Sequence, residues 1–263
     1  AQIKGHEINE GFLVSGLLIP MIMPVEAPLW MIAVSTAFAV IIGKEIFGGT
    51  GMNIWNPALL ARAFFFFSYP SKISGDAVWI ADKPDTFSGA TPLAEAALGM
   101  PVSHDLNTMF WGLIPGSIGE TSTFCILLGA IVLLATGIAS WRIMFSVFVG
   151  GFLMATLLQF TLPESNPYAH VTALEQLVMG GFAFGAVFMA TDPVTSSQTN
   201  TGKYIYGLLV GCMAIIIRCI NPGYPEGMML AILLMNTFAP LIDWFVVQAN
   251  IKRRLKRAKV IAQ

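Results

Sequence analysis

The residues with the clearest chemical potential form one polar stretch, "DTFSGATPLAE", at positions 85–95 of an otherwise apolar chain. Thr91 precedes a proline and a run of helix-forming residues, so the pattern predicts Thr91 as a helix N-cap and Pro92 as the first helical residue. A helix N-terminus presents free backbone N–H groups and the positive end of the helix dipole, and both favour a phosphate group. Gly89 and Ala90 are small enough to let a bulky ligand or an enzyme approach the Thr91 hydroxyl. The sequence therefore permits a phosphate-bearing group at Thr91, although helix capping alone explains the same residue types.

The composition places this stretch in a membrane protein. Of the 263 residues, 56% are hydrophobic and 11% are charged, whereas about a quarter of the residues in soluble domains are charged. Eight apolar stretches approach the roughly 20 residues that a membrane-spanning helix requires. They lie at approximately 11–24, 28–47, 56–69, 124–139, 143–161, 171–190, 204–220 and 227–248. We therefore predict an all-α polytopic membrane protein, with about eight transmembrane segments in a single domain at 1–263. The third stretch is short enough to be a broken or half-length helix.

The basic segment 250–263 orients these predicted spans. It contains "IKRRLKRAKV", which holds six of the 14 lysine and arginine residues. Because it directly follows an apolar helix, we interpret it as a cytoplasmic tail and not as an arm that binds nucleic acid. Counting back across the spans places 70–122 in an outer loop, with Thr91 on the outer face of the membrane. The chain begins with alanine and shows no signal-peptide pattern, so we expect that N-terminal material is missing.

Two related interruptions break the hydrophobic pattern. "FGGTGMNIWNPALLARA" (47–63) and "CINPGYPEGMMLAI" (219–232) each place an Asn-Pro pair at a glycine-containing break, followed by a helix-forming run. By the topology above the two breaks face opposite sides of the membrane, which predicts an inverted-repeat bundle with broken helices. Two ordinary loops that each end in a proline near a helix start explain the same pattern. Under either interpretation, the side-chain amides of Asn53 and Asn56 can cap a helix or hold a polar ligand ring.

Ionisable residues within apolar segments are functional candidates, because an unpaired charge there is costly. Arg62 and Asp243 lie deepest, and each fits either one half of a structural ion pair or a place in a sodium path. A sodium site requires carboxylate and carbonyl oxygens near a broken helix end, so Asp192 and Asp243 are the candidates for an ion path. The remaining ionisable residues of this kind are Glu26, Glu45, Glu175 and Arg218.

The run Asp85-x-x-Ser88-Gly89-Ala90-Thr91 resembles the flavinylation motif of a family of membrane redox subunits. This family includes the B subunit of the sodium-translocating NADH:quinone oxidoreductase and the D subunit of the Rnf electron-transport complex. Further segments resemble the family in the same order: "GHEINEGF" (5–12), "KEIFGGTGMNIWNPALLARAFFFFSYP" (44–70), "GSIGETST" (116–123) and "MATDPVTSS" (189–197). The resemblance covers essentially the whole chain, and "FGGTG", "NPAL" and "RAF" are closer to the sodium pump than to the Rnf subunit.

The resemblance implies two flavins. It implies that a flavin transferase joins FMN from FAD to Thr91 through a phosphoester bond, and that the enzyme recognises Asp85, Ser88, Gly89 and Ala90. It also implies a non-covalent riboflavin near Asn53 and Asn56, on the opposite side of the membrane from the FMN.

The implied function is that of a subunit that relays electrons toward ubiquinone, coupled in a larger complex to the export of Na⁺. No nucleotide-binding motif occurs in the sequence, so NADH oxidation is expected on another subunit. The implied partners are other membrane and peripheral subunits, the flavin transferase, quinone and the lipid bilayer. The implied location is a bacterial inner membrane, with the FMN loop periplasmic and the C-terminus cytoplasmic. The family's N-terminal region, with part of the quinone site, is expected to be missing here.

Two alternatives stay open. The chain fits the D subunit of an Rnf complex, which belongs to the same family. It also fits a flavin-free channel or solute transporter with the same bundle fold, in which Thr91 is only a helix cap.

Overall fold

The computed structural model describes residues 11–70, 90–221 and 224–261, with side chains described as far as Arg257. These residues form eleven α-helices and no β-strand, so the predicted all-α class is confirmed for the described part of the chain. The helices are α1 (Gly11–Ile22), α2 (Leu29–Val40), α3 (Pro57–Ser68), α4 (Pro92–Ala97), α5 (Leu106–Trp111), α6 (Thr123–Ala135), α7 (Trp141–Thr161), α8 (Ala173–Val178), α9 (Phe182–Phe184), α10 (Asn200–Ile220) and α11 (Met228–Ile261). Two π-helical segments extend α2 and α9, at Ile41–Glu45 and Gly185–Met189 respectively.

Three of these helices have the length and hydropathy to cross a membrane: Trp141–Thr161, Asn200–Ile220 and Met228–Arg257. Large apolar side chains stay exposed along them, including Phe145 and Leu153 on α7 and Phe245 on α11. Such surfaces suit contact with lipid and not with water. The apolar helices α1, α3 and α6 are shorter. The total of about eight transmembrane segments therefore stays a prediction.

The centre of the bundle is the crossing of α7 and α10, which form the most extensive helix pair, and α10 packs in turn against α11. Glycines bring the first two backbones close together. A Cβ added to Gly150 would lie 2.3 Å from the Leu208 carbonyl oxygen, and one added to Gly211 would lie 2.2 Å from the Val147 carbonyl oxygen. Small residues at such positions allow close backbone approach between membrane helices.

The apolar stretch 171–190 is broken in the structure. α8 ends at Val178 and α9 starts at Phe182, and Gly180 between them has a φ of +60°, a left-handed conformation that favours glycine. The buried guanidinium of Arg218 on α10 donates to the carbonyl oxygens of Gln176 and Met179, the latter at 3.2 Å. These hydrogen bonds satisfy carbonyl oxygens that have no partner within the helix because the helix is interrupted. The stretch 171–190, predicted as one span, is therefore divided into two helices in the structure.

α3 is the predicted half-length helix. Asn56 is its N-cap, and the side-chain oxygen accepts hydrogen bonds from the backbone N–H groups of Ala58 at 3.0 Å and Leu59 at 3.3 Å. The neighbouring Trp55 donates through Nε1 to Thr237 Oγ1 at 3.0 Å. Because Thr237 lies in the third turn of α11, α3 begins beside the body of that helix and not beside its end.

The close crossing of α7 and α10 predicts that Gly211→Ala destabilises the bundle. The added methyl would collide with a backbone carbonyl, and a change of side-chain rotamer cannot relieve this collision. We therefore expect the free energy of unfolding to fall by about 1–3 kcal/mol. Thermal unfolding of the membrane-extracted protein measures this loss. Gly16→Ala is the matched control, because a Cβ on Gly16 meets no atom within 4 Å. Equal unfolding midpoints for the two variants would contradict the proposed packing.

Candidate functional site

Thr91 is the N-cap of α4, and Pro92 is the first residue of this helix, as the sequence predicts. The Thr91 Oγ1 accepts a hydrogen bond from the Ala94 backbone N–H at 3.1 Å. This contact holds the hydroxyl oxygen at the start of the helix. Of the other predicted motif residues, Ala90 is half-buried. Asp85, Ser88 and Gly89 lie outside the described residues.

Thr91 opens onto a cavity of about 240 Å³. The wall of this cavity comes from α3, from α4 and from the loops that precede α6 and α11. It includes Arg62, Phe66, Thr91, Glu120, Thr121 and Glu226. Thr91 therefore lines the same cavity as three charged side chains, in a chain with only 11% charged residues.

Those charged side chains form a buried ion cluster. The guanidinium of Arg62 binds Glu120 through one nitrogen and Glu226 Oε2 through the other, the latter at 2.5 Å. The Tyr224 hydroxyl donates to Glu226 Oε2 at 3.0 Å. The three charged side chains are only 9–13% exposed. The ion-pair alternative for Arg62 is confirmed, whereas sequence reasoning missed both of its partners, because both lie in loops that look like ordinary polar connections.

The surroundings shift Glu120 toward its protonated form. Burial raises the pKa of the Glu120 carboxyl to about 7, with a further increase from the charge of Glu226, although the charge of Arg62 acts in the opposite direction. Burial also raises the pKa of the Tyr224 hydroxyl well above its usual value. The cavity wall thus contains an acid whose pKa is raised by burial.

The cavity residues fit an anionic group attached at Thr91. Arg62 lines the same cavity, and its buried Nε–H has no acceptor among the described residues. A buried donor without an acceptor is costly, and a phosphate oxygen is a suitable acceptor for arginine. Thr91 would hold FMN through its hydroxyl oxygen, and the Arg62 Nε–H would donate to a phosphate oxygen.

A second polar group joins two residues that the sequence analysis treated separately. Asn56 Nδ2 donates to Asp192 Oδ2 at 3.4 Å, and the same oxygen accepts from Thr195 Oγ1 at 3.0 Å. Burial raises the pKa of the Asp192 carboxyl. Asn53 lies nearby in the chain and donates to the Trp55 carbonyl oxygen at 3.3 Å. The Asn56 amide is therefore used in capping α3 and in binding Asp192, and a riboflavin at Asn53 and Asn56 stays a prediction.

Asp243 anchors the start of α10. Its Oδ1 accepts from Ser197 Oγ at 2.6 Å and from both Thr199 Oγ1 at 2.6 Å and Thr199 N at 3.0 Å, and its Oδ2 accepts from Gln198 N at 2.7 Å. In the part of the chain that the structure describes, these hydrogen-bond donors take the place of a basic ion-pair partner. The loop 192–199, which leads into α10, is thus held at both ends: Asp192 accepts from Thr195 within its first part, and Asp243 accepts from its last three residues.

The ion cluster predicts a large effect of Arg62→Met. The substitution leaves two buried carboxyl groups without their guanidinium and one negative charge without a partner, so we expect a loss of about 3–5 kcal/mol in stability. Combining it with Glu120→Gln and Glu226→Gln removes the unpaired charges and is expected to restore most of this loss. Denaturant or thermal unfolding of the membrane-extracted protein compares the two variants. The cluster has no structural role if Arg62→Met unfolds like the parent.

The hydrogen bonds of Asp243 predict that Asp243→Asn is destabilising. An amide has one acceptor oxygen, so its NH₂ group would face a donor that now binds the second carboxylate oxygen. Because Asp243 is only half-buried, we expect a cost of about 0.5–1.5 kcal/mol. Asp105→Asn is the matched control, because the exposed Asp105 caps α5 and asparagine is an equally good N-cap. Thermal unfolding measures both variants, and a similar midpoint for both would show that the anchor contributes nothing.

Comparison with known proteins identifies the family. The chain matches the NQR2, RnfD, RnfE family over residues 1–252. The B subunit of the Na(+)-translocating NADH-quinone reductase from Chromohalobacter salexigens is 56% identical over 258 residues, which cover 97% of this chain and 62% of that relative. The protein of the same name from Ectopseudomonas mendocina is 54% identical over 262 residues, which cover 98% of this chain and 64% of that relative. The chain therefore spans 62–64% of the length of these curated relatives. By its sequence along nearly its whole length, the chain belongs to the NQR2, RnfD, RnfE family.

Proposed function

We propose that this chain is a membrane electron-transfer subunit of a sodium-pumping NADH:quinone oxidoreductase and carries covalent FMN on Thr91. The observation that carries this proposal is the position of the Thr91 hydroxyl, at a helix start that opens onto a cavity with a buried arginine. The names of the relatives support the same function, because each of these proteins is named as the B subunit of a Na(+)-translocating NADH-quinone reductase.

The residues of the cavity have separate tasks in this function. FMN supplies the redox chemistry when it is bound. The hydrogen bond from Ala94 N orients the Thr91 oxygen to which FMN is joined. Arg62 offers its Nε–H to a phosphate oxygen, and the apolar side chains of Phe66 and Leu93, which also line the cavity, limit the access of water.

The topology supports a location of the FMN on the side of the membrane opposite the basic tail. Glu226 comes just before α11, whereas Lys252 lies about 36 Å along the same helix from its first residue, Met228, at 1.5 Å per residue. The exposed basic side chains that follow are Arg253, Arg254, Lys256 and Arg257. By the positive-inside rule, this end is cytoplasmic and the Thr91 end periplasmic, in a bacterial inner membrane.

The remaining parts of the proposal concern the whole complex. A non-covalent riboflavin lies near Asn53 and Asn56, and the electrons pass toward ubiquinone as Na⁺ is exported. The contact between Asn56 and Asp192 supports a link between the riboflavin and the ion path, because it joins a candidate flavin residue to a candidate ion residue. NADH is oxidised on another subunit, and further membrane and peripheral subunits complete the assembly. The flavin transferase attaches the FMN.

Coexpression with a flavin transferase tests the attachment at Thr91. We expect the parent chain to gain the mass of FMN and to fluoresce under ultraviolet light after denaturation, and Thr91→Ala to lose both signals. Intact-mass measurement and in-gel fluorescence provide the readout. Thr172→Ala is the matched control, because Thr172 is the N-cap of α8 and loses a comparable capping hydrogen bond. A dark parent, alongside a control protein that the transferase does label, would leave Thr91 as a helix cap and favour the channel alternative.

A further inference from the structure

Two carboxyl groups meet at the cavity beside Thr91. Glu120 and Glu226 both bind the guanidinium of Arg62. The Oε1 atoms of both lie 2.8 Å from the point that a Cβ on Gly181 would occupy. They therefore converge on one small space that the glycine leaves open. Two carboxylates in such a position repel each other, and one guanidinium offsets only one of their charges.

Few other charged groups face this pair. Tyr224 donates to Glu226 Oε2 from the segment before α11. Arg218 approaches from α10, but its nitrogens donate to the backbone oxygens of Gln176, Met179 and Glu226 and to the Gln176 side chain. Gly181, the residue just before α9, is the neighbour of the two carboxyl groups on that side. Thr91 and the apolar residues of α4 line the cavity on another side. Arg62 is therefore the one described cation that binds the two carboxyl groups.

We propose that Glu120 and Glu226 are a proton-binding pair, which keeps one exchangeable proton beside Arg62 and thereby sets the charge of the cavity that Thr91 lines. With the proton bound, the three side chains carry no net charge, and without it they carry one negative charge in a buried site. The raised pKa of Glu120, about 7, agrees with a proton on this residue. Burial of the pair, at 9% and 13% exposure, makes the neutral state the less costly one.

The pair responds to the charge of whatever occupies the cavity. A nearby negative charge disfavours the loss of a proton, and by linkage the bound proton favours the negative charge. An anionic phosphate at Thr91, or an electron taken up within the cavity, therefore increases the affinity of the pair for its proton. This consequence rests on the proposed function, whereas the existence of the proton-binding pair does not.

Infrared difference spectroscopy of the full-length protein in its native assembly tests the proton directly. Spectra taken at about pH 5.5 and about pH 8.5 lie on either side of the pKa of Glu120 near 7. We expect a protonated-carboxyl band in the parent that is lost at the higher pH. The band should be absent from Glu120→Gln and retained in Glu95→Gln, a control on α4 whose carboxylate binds Ser103. Absence of the band from the parent, or its persistence in Glu120→Gln, would overturn the proposal.

A second variant keeps the test decisive if Glu120→Gln fails to assemble. Glu226→Gln removes the repulsion between the two carboxyl groups, so the midpoint of the Glu120 band should fall to lower pH. An unchanged or higher midpoint would show that the two groups do not act as a pair.

Thr91→Ala tests the link to the cavity. Because the variant lacks the anionic group, the band should titrate at lower pH than in the flavin-loaded parent. An unchanged midpoint, in a variant whose mass confirms the loss of FMN, would overturn the link. If the parent itself has no FMN mass but keeps the titrating band, the proposed function fails and the proton-binding pair stands.

Discussion

The backbone of an apolar bundle must find hydrogen-bond partners wherever a helix is interrupted, because lipid supplies none. Much of the polar chemistry of this chain follows from that constraint. Asn56 caps α3 in the body of the bundle, Asp243 binds the start of α10, and Arg218 binds the carbonyl groups released where α8 ends. Thr91 does the same for α4 at the edge of the cavity.

The two buried arginines show how different partners produce different roles. Arg218 donates mainly to backbone carbonyl groups and so stabilises a break. Arg62 donates to two carboxyl groups, and its Nε–H has no acceptor in the described part of the chain. The contacts of Arg218 therefore mainly satisfy backbone carbonyl oxygens. The contacts of Arg62 leave an N–H without an acceptor among the described residues, on a side chain that lines the same cavity as Thr91, and this is a property of a binding site.

Several residues serve structure and candidate chemistry together. The Thr91 oxygen that caps α4 is the atom proposed to carry FMN, and Asn56, which caps α3, also binds Asp192. A substitution at either position therefore removes a helix cap as well as a candidate functional contact. Cap variants elsewhere in the bundle, such as those at Thr172, separate the two effects.

The sequence by itself determined the features that depend on near neighbours. The apolar composition indicated helices, the Thr-Pro and Asn-Pro pairs located the starts of α4 and α3, and a charge in an apolar run identified Arg62 as a residue that needs a partner. The attachment of FMN at Thr91 is implied by the resemblance of 85–91 to a flavinylation motif, and it stays a prediction.

Only the tertiary structure decided which groups meet across the chain. Glu120 lies 58 positions after Arg62 in the chain, and Glu226 lies 164 positions after it. Asp243 likewise binds a loop that lies more than forty positions before it. The break within 171–190 likewise depends on Arg218 reaching across from α10. No local pattern contains this information, because the free energy of a buried charge or an interrupted backbone depends on the partner that packing brings to it.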